Sequence, residues 1–234
     1  MRRAAHALLA ILFAVCVYRA FTQSLVHDEA LTNELYVLGP LNDVFHSYTA
    51  NHHFLNSILM RISAAIFGDS EWALRLPALG GAVLYFIAIY RLALTAFGES
   101  IFFFVAIALL SLNPFVLDFM VAARGYGMAL AFLMFALAVL LEMFEFKPTS
   151  RQKIAWAGAC VALSPAANLI FLLPAAALAG LAVFALYNRS RPEPAPTNYR
   201  DKRRAKKQQR EPAYWAWFLA PIGAIASLFI VLAP

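Results

Sequence analysis

Long apolar runs alternate with short polar stretches along almost the whole chain. The runs at 4–21, 76–97, 101–119, 126–146, 154–187 and 214–232 are continuous and do not alternate every second residue. Such runs predict helices, not barrel strands. About 20 predominantly apolar residues cross a bilayer as a helix. A spanning backbone must also satisfy its own hydrogen bonds, which a helix does. The run at 154–187 is too long for one span and is interrupted at Pro165 and Asn168, so it predicts two short spans. The expectation is an all-α polytopic membrane protein with about seven transmembrane helices.

Segment 22–75 has a different pattern. Phe54, Leu55, Ile58, Leu59, Ile62, Ala65 and Ile66 recur at helical spacing, with Asn56, Ser57, Arg61 and Ser63 largely between them. This predicts an amphipathic helix along the membrane surface. Ala30, Leu31, Leu35 and Leu38 suggest a second, shorter helix, and Gly39-Pro40 separates the two. Three regions follow: a transmembrane core over 1–187 with its loop at 22–75, a linker at 188–213, and a last helix at 214–234.

Composition agrees with this reading. Hydrophobic residues make up 62% and charged residues 14%, against about 45–50% and about 25% in soluble domains. A soluble enzyme, a disordered chain and a nucleic-acid-binding domain are excluded, and no nucleic-acid partner is expected. Cys16 and Cys160 both lie inside apolar runs and form no disulfide framework.

Charge sets the expected orientation. Residues 188–213 carry nine Lys/Arg against three acids, which equals the whole net charge of +6. A basic linker of this kind stays cytoplasmic, is solvated, and can touch anionic membrane lipids. Arg2 and Arg3 precede the first run without a clean cleavage site, which predicts an uncleaved span with its N-terminus inside. Segment 22–75 holds six acids, two Arg and four of the five His, which fits the extracytoplasmic side. The C-terminus then also falls outside, and the membrane expected is a cell (inner) membrane.

Ionisable groups at membrane depth are functional candidates. His27-Asp28-Glu29 follows the first run, and a carboxylate there can act as general base. It can equally be a solvated loop acid. Asn51-His52-His53 can hold phosphate, or a divalent metal if Asp28 or Glu29 supplies a third ligand. Filler in a polar loop is the plain alternative. Arg124 and Tyr126 close the third run, and Arg75 opens the second. Guanidinium is the preferred partner of phosphate, although an interfacial Arg also simply snorkels. Asp118 is close enough in sequence to pair with Arg124.

The order of these motifs is informative. An acidic pair follows the first span, a His-containing turn precedes "IFGDSEWALRLPALGG" at 66–81, and "LNPFVLDFMVAARGYGM" covers 112–128. Over about residues 1–187 the chain resembles the GT-C superfamily of membrane glycosyltransferases. It looks most like the group of dolichyl-phosphate-mannose protein mannosyltransferases and the lipid A aminoarabinose transferase. The resemblance implies a polyprenyl-phosphate sugar donor and inverting transfer to an acceptor hydroxyl on the extracytoplasmic face. It maps the catalytic acid to Asp28, with Glu29 beside it. Donor contacts map to His52 or His53 and to Arg124 and Tyr126, with Arg75 also near the phosphate. No proline follows the histidines here, and Ala122 stands where many relatives carry an acid. Relatives also continue past the seventh span, whereas this chain stops at Pro234. The alternative is therefore a truncated or accessory subunit that binds the lipid-linked donor without catalysis, with a second polypeptide completing the enzyme. A small transporter would need charges beside the break at Pro165 and Asn168, and none lies there.

Overall fold

The computed structural model describes residues 1–46, 52–145, 150–189 and 213–232, the last of these with side chains to Leu228. Regular structure among them is entirely helical. Helix α1 spans Arg2–Thr22, and α2 (His27–Thr32) continues into a wider π-type turn at Asn33–Leu38. Then come α3 (Leu41–His46), α4 (Phe54–Phe67), α5 (Glu71–Phe97), α6 (Ile101–Ser111), α7 (Pro114–Phe119) and α8 (Tyr126–Glu145). The chain finishes with α9 (Arg151–Ala167), a 3₁₀ turn at Leu169–Phe171, α10 (Leu172–Arg189) and α11 (Tyr214–Leu232). Most of the basic linker expected at 188–213 lies outside the described residues.

Four helices are long and apolar enough to cross a membrane: Arg2–Thr22, Glu71–Phe97, Tyr126–Glu145 and Leu169–Arg189. The chain is an integral membrane protein, but the expectation of about seven spans is corrected to four such helices among the described residues. The run at 101–119 is not one helix. Asn113 accepts the Phe115 N–H (3.0 Å) and caps α7, with Pro114 at its first position. That leaves the 11-residue α6, about 16 Å long, against a hydrocarbon core of about 30 Å. Apolar composition shows that a segment avoids water, and a capped break decides how much of it forms a single helix.

The long run at 154–187 breaks at Asn168, whose backbone is extended and whose Oδ1 accepts the Ile170 N–H (3.1 Å). Helix α9 keeps only 17 residues. The last helix has described side chains over Tyr214–Leu228 and is apolar there.

Helices α5 and α8 form the centre and run in the same direction. A Cβ on Gly81 would lie 2.9 Å from the Met128 Cα, so this crossing requires glycine. Small residues allow such close backbone approach in membrane helices. One apolar cluster joins α1, α5 and α6 through Leu12, Phe86, Ile89 and Phe103; a second joins α8, α9, α10 and α11 through Leu140, Ile154, Leu186 and Phe218. Arg91 binds Glu142 with both Nε (2.7 Å) and Nη2 (2.6 Å) and lies over Phe135. That pair joins the C-terminal ends of α5 and α8. The ion pair of Arg2 with Glu99 (2.8 Å) lies at the same end.

Helix α4 is amphipathic as its spacing predicts, but its polar side is the packed one. Asn56, Ser57 and Ser63 are buried, while Ile62, Ile66 and Phe67 are exposed. Ser63 donates to the Ala73 carbonyl (2.6 Å). A helix whose outer side meets lipid can turn its hydroxyls and amides inward, because there they find partners that hydrocarbon lacks.

Candidate functional site

The other end of the α5–α8 pair gathers most of the chemistry. Adjacent residues on a helix point about 100° apart, so Asp28 and Glu29, in the first turn of α2, have different fates. Glu29 turns inward and is 1% exposed, facing Arg75 of α5 at 2%. Arg75 Nη2 lies 2.9 Å from Oε2, and Nε lies 3.4 Å from Oε1. The Glu29 carboxylate also accepts the backbone N–H of Val26 (3.0 Å) and of Ala123 (2.6 Å). Arg75 further donates to the carbonyls of Ala20 (3.4 Å), Gln23 and Ser24 (3.0 Å). It thereby satisfies backbone oxygens at the end of α1. Burial pushes the Glu29 carboxyl up, but the Arg75 hydrogen bond, the two N–H donors and the Arg75 charge outweigh it, so the group titrates below the ordinary range. This pair welds α1, α2, α5 and the 120–125 turn together.

Asp28 turns outward. Its Oδ2 meets Arg124 Nη2 at 2.8 Å, with both side chains partly exposed. The Arg124 guanidinium lies 5.3 Å from the centre of the Tyr126 ring, which stacks on Phe119 at 4.9 Å. Its Nε is buried and has no hydrogen-bond partner among the described residues. Asp118 does not pair with Arg124; it binds Arg19 at 2.6 Å and ties α7 to α1.

The two histidines also separate. His52 places Nε2 2.8 Å from the Val44 carbonyl, with its ring against Tyr36 at 4.8 Å. It anchors α3. His53, just before α4, is 6% exposed and packs edge-on to Tyr126 at 5.8 Å. Its Nδ1 lacks a partner among the described residues. Burial, helped by the charges of Arg124 and His52 and opposed by Asp28, lowers its pKa to about 4. Burial also lowers His52, against the hydrogen bond to Val44. A metal set of His52, His53 and an acid is not assembled: among the described residues no three His, Cys, Asp or Glu side chains gather as ligands.

These histidines impose a pH dependence. A folded pKa below the ordinary value of about 6.5 means that the unfolded chain takes up the proton first. The stability tied to neutral His53 is complete above about pH 6.5 and is lost as pH falls toward 4. The unfolding midpoint in detergent is therefore expected to fall between pH 7 and pH 5, and to fall less in a His53→Gln protein. Equal slopes in the two proteins would contradict the assignment.

Two residues that sequence reading passed over complete the site. The Asn56 amide donates to the Ala123 carbonyl (3.0 Å), and the Asn168 amide donates to the Arg124 carbonyl (3.2 Å). In the sequence Asn56 belongs to the polar face of α4 and Asn168 to a helix break, and neither role suggests a partner. Gly125 follows with φ +72°, and a Cβ there would overlap the Ala167 carbonyl oxygen. Only glycine fits.

A polar, charge-paired cluster capping a bundle of long apolar helices defines an integral membrane protein with its chemistry at one end of the bundle. The family model described as dolichyl-phosphate-mannose-protein mannosyltransferase matches residues 51–194, and the chain belongs to this family of GT-C membrane glycosyltransferases. Neither a curated protein nor a solved structure matches the chain. His53, Arg75, Arg124 and Asn168 fall within the matched segment, while Asp28 and Glu29 precede it.

Proposed function

We propose that the protein transfers a sugar from a polyprenyl-phosphate donor to an acceptor hydroxyl, with inversion, at the extracytoplasmic end of the bundle. The observation that carries this reading is the partly exposed Asp28–Arg124 ion pair. A base and a phosphate-binding cation share one partly open corner. Membership in the family supports a sugar-transfer role and a lipid-linked donor. The acidic bias of segment 22–75 against the basic linker supports the assignment of sides, with the N-terminus cytoplasmic and segment 22–75 outside.

In this mechanism Asp28 takes the proton of the acceptor hydroxyl. The hydroxyl oxygen bonds to the anomeric carbon as the bond to the phosphate oxygen breaks. The electron pair leaves with the phosphate, where the Arg124 guanidinium balances the growing charge. Attack opposite the phosphate inverts the anomeric centre. Glu29 and Arg75 act from inside the wall: they hold the Ala123 N–H and the end of α1, not the substrate.

The test is transfer by purified protein in nanodiscs, with radiolabelled polyprenyl-phosphate sugars as donors and released polyprenyl phosphate as the readout. Turnover with at least one donor is the expected result. Binding of polyprenyl phosphate without turnover of any donor would favour the accessory-subunit reading, and neither binding nor turnover would overturn both. Arg124→Lys is expected to weaken polyprenyl phosphate binding by about tenfold, since a point charge replaces a planar fork. Retention of polyprenyl phosphate in native mass spectrometry checks this, and unchanged affinity would remove Arg124 from the phosphate site.

A further inference from the structure

The geometry points to Asn168 and Asn56 as positioning residues that aim Arg124, an inference that rests on Arg124 being the phosphate contact. The direction of a side chain follows from the two peptide planes that flank its Cα. For Arg124 these planes end in the carbonyls of Ala123 and Arg124. Asn56 holds the first at 3.0 Å and Asn168 the second at 3.2 Å. Both amides are almost completely buried, Asn56 at 0% and Asn168 at 2%. Glu29 fixes the N–H on the other side of Ala123. Gly125 supplies the left-handed residue that lets the chain turn immediately afterward into α8.

Asn168 is more than a helix breaker. Its Oδ1 caps the 3₁₀ turn through the Ile170 N–H, while its Nδ2 reaches across to Arg124. The break in the long apolar segment therefore brings an amide to the end of the bundle where Asp28 and Arg124 meet. An unbroken helix through 168 would leave the Arg124 carbonyl without this donor in a place poor in water. Displacement of a charged group by about 1 Å can cost about 100-fold in rate, so a slack turn at Arg124 is felt in the chemistry before it is felt in the fold.

Asn168→Ser tests this, because serine keeps an oxygen able to cap Ile170 but loses the amide that reaches Arg124. Turnover of the donor accepted by the unchanged protein is expected to fall about 10- to 100-fold, with the unfolding midpoint lowered only as far as one lost hydrogen bond requires. Without such a donor, polyprenyl phosphate retention is the readout. In an Arg124→Ala background the same change is expected to cost almost nothing further, because its effect passes through Arg124. Asn56→Leu serves as a second variant should Asn168→Ser fold poorly. Equal fractional losses with and without Arg124, or no loss, would overturn the positioning role. If Arg124→Ala alone leaves binding and turnover intact, the phosphate reading fails instead, and the two failures are distinct.

Discussion

Replacing Asp28 with asparagine is expected to lower the rate of transfer by about 10²- to 10⁴-fold, the usual contribution of a positioned general base. The substitution is close to isosteric, and the amide oxygen can still accept from Arg124 Nη2 across the present 2.8 Å. What disappears is basicity. The loss should therefore fall on kcat, with the affinity for polyprenyl phosphate little changed. Stability should change little as well, since partly exposed ion pairs contribute about 0–1 kcal/mol. An Asp28→Asn protein that keeps full turnover would remove Asp28 from catalysis. One that loses donor affinity and not rate would make it a binding group.

Breaking the neighbouring pair has a different signature. Removing one partner of a buried ion pair costs about 3–5 kcal/mol, because the other charge remains without compensation. Glu29→Gln strands Arg75, which is 2% exposed, and replaces the carboxylate oxygen that holds the Ala123 N–H. Arg75→Met strands Glu29 and frees the carbonyls at the end of α1. Each change is expected to lower unfolding stability in detergent by several kcal/mol, and transfer should fall with it. The Glu29→Leu, Arg75→Met double variant should be destabilised by less than the sum of the single changes, since both charges leave together. Acid should act in the same direction: the Glu29 contribution is present near neutral pH and is lost as pH falls through its depressed folded pKa. Unfolding free energies for the single changes within about 0.5 kcal/mol of the unchanged protein would show that the pair is not structural.

These two predictions separate acids that are adjacent in sequence. In the sequence His27-Asp28-Glu29 is one acidic cluster, because composition cannot say which way a helix turns its residues. The same limit applied to His52 and His53, one of which packs on α3 and the other beside Tyr126. Arg75 was legible as an unusual cation, but not as the cap of a buried carboxylate 46 positions away. Asn56 marks a polar face and Asn168 a break, but their carbonyl partners are not legible, because an amide that binds a backbone carbonyl leaves no pattern in its own neighbourhood.

The sequence alone determined that this chain is helical and embedded in a membrane, since those properties follow from average hydropathy and its period. It also marked which end of the bundle gathers the acids, histidines and arginines. Tertiary structure alone decided how many long helices the described residues form, because a single capping asparagine at 113 or 168 divides a run whose hydropathy is continuous. It decided as well that Asp28 meets Arg124 while Glu29 is enclosed by Arg75. Hydrophobicity adds up along a chain and can be read locally, whereas a hydrogen bond or ion pair exists only where two distant segments place their atoms within about 3 Å of each other.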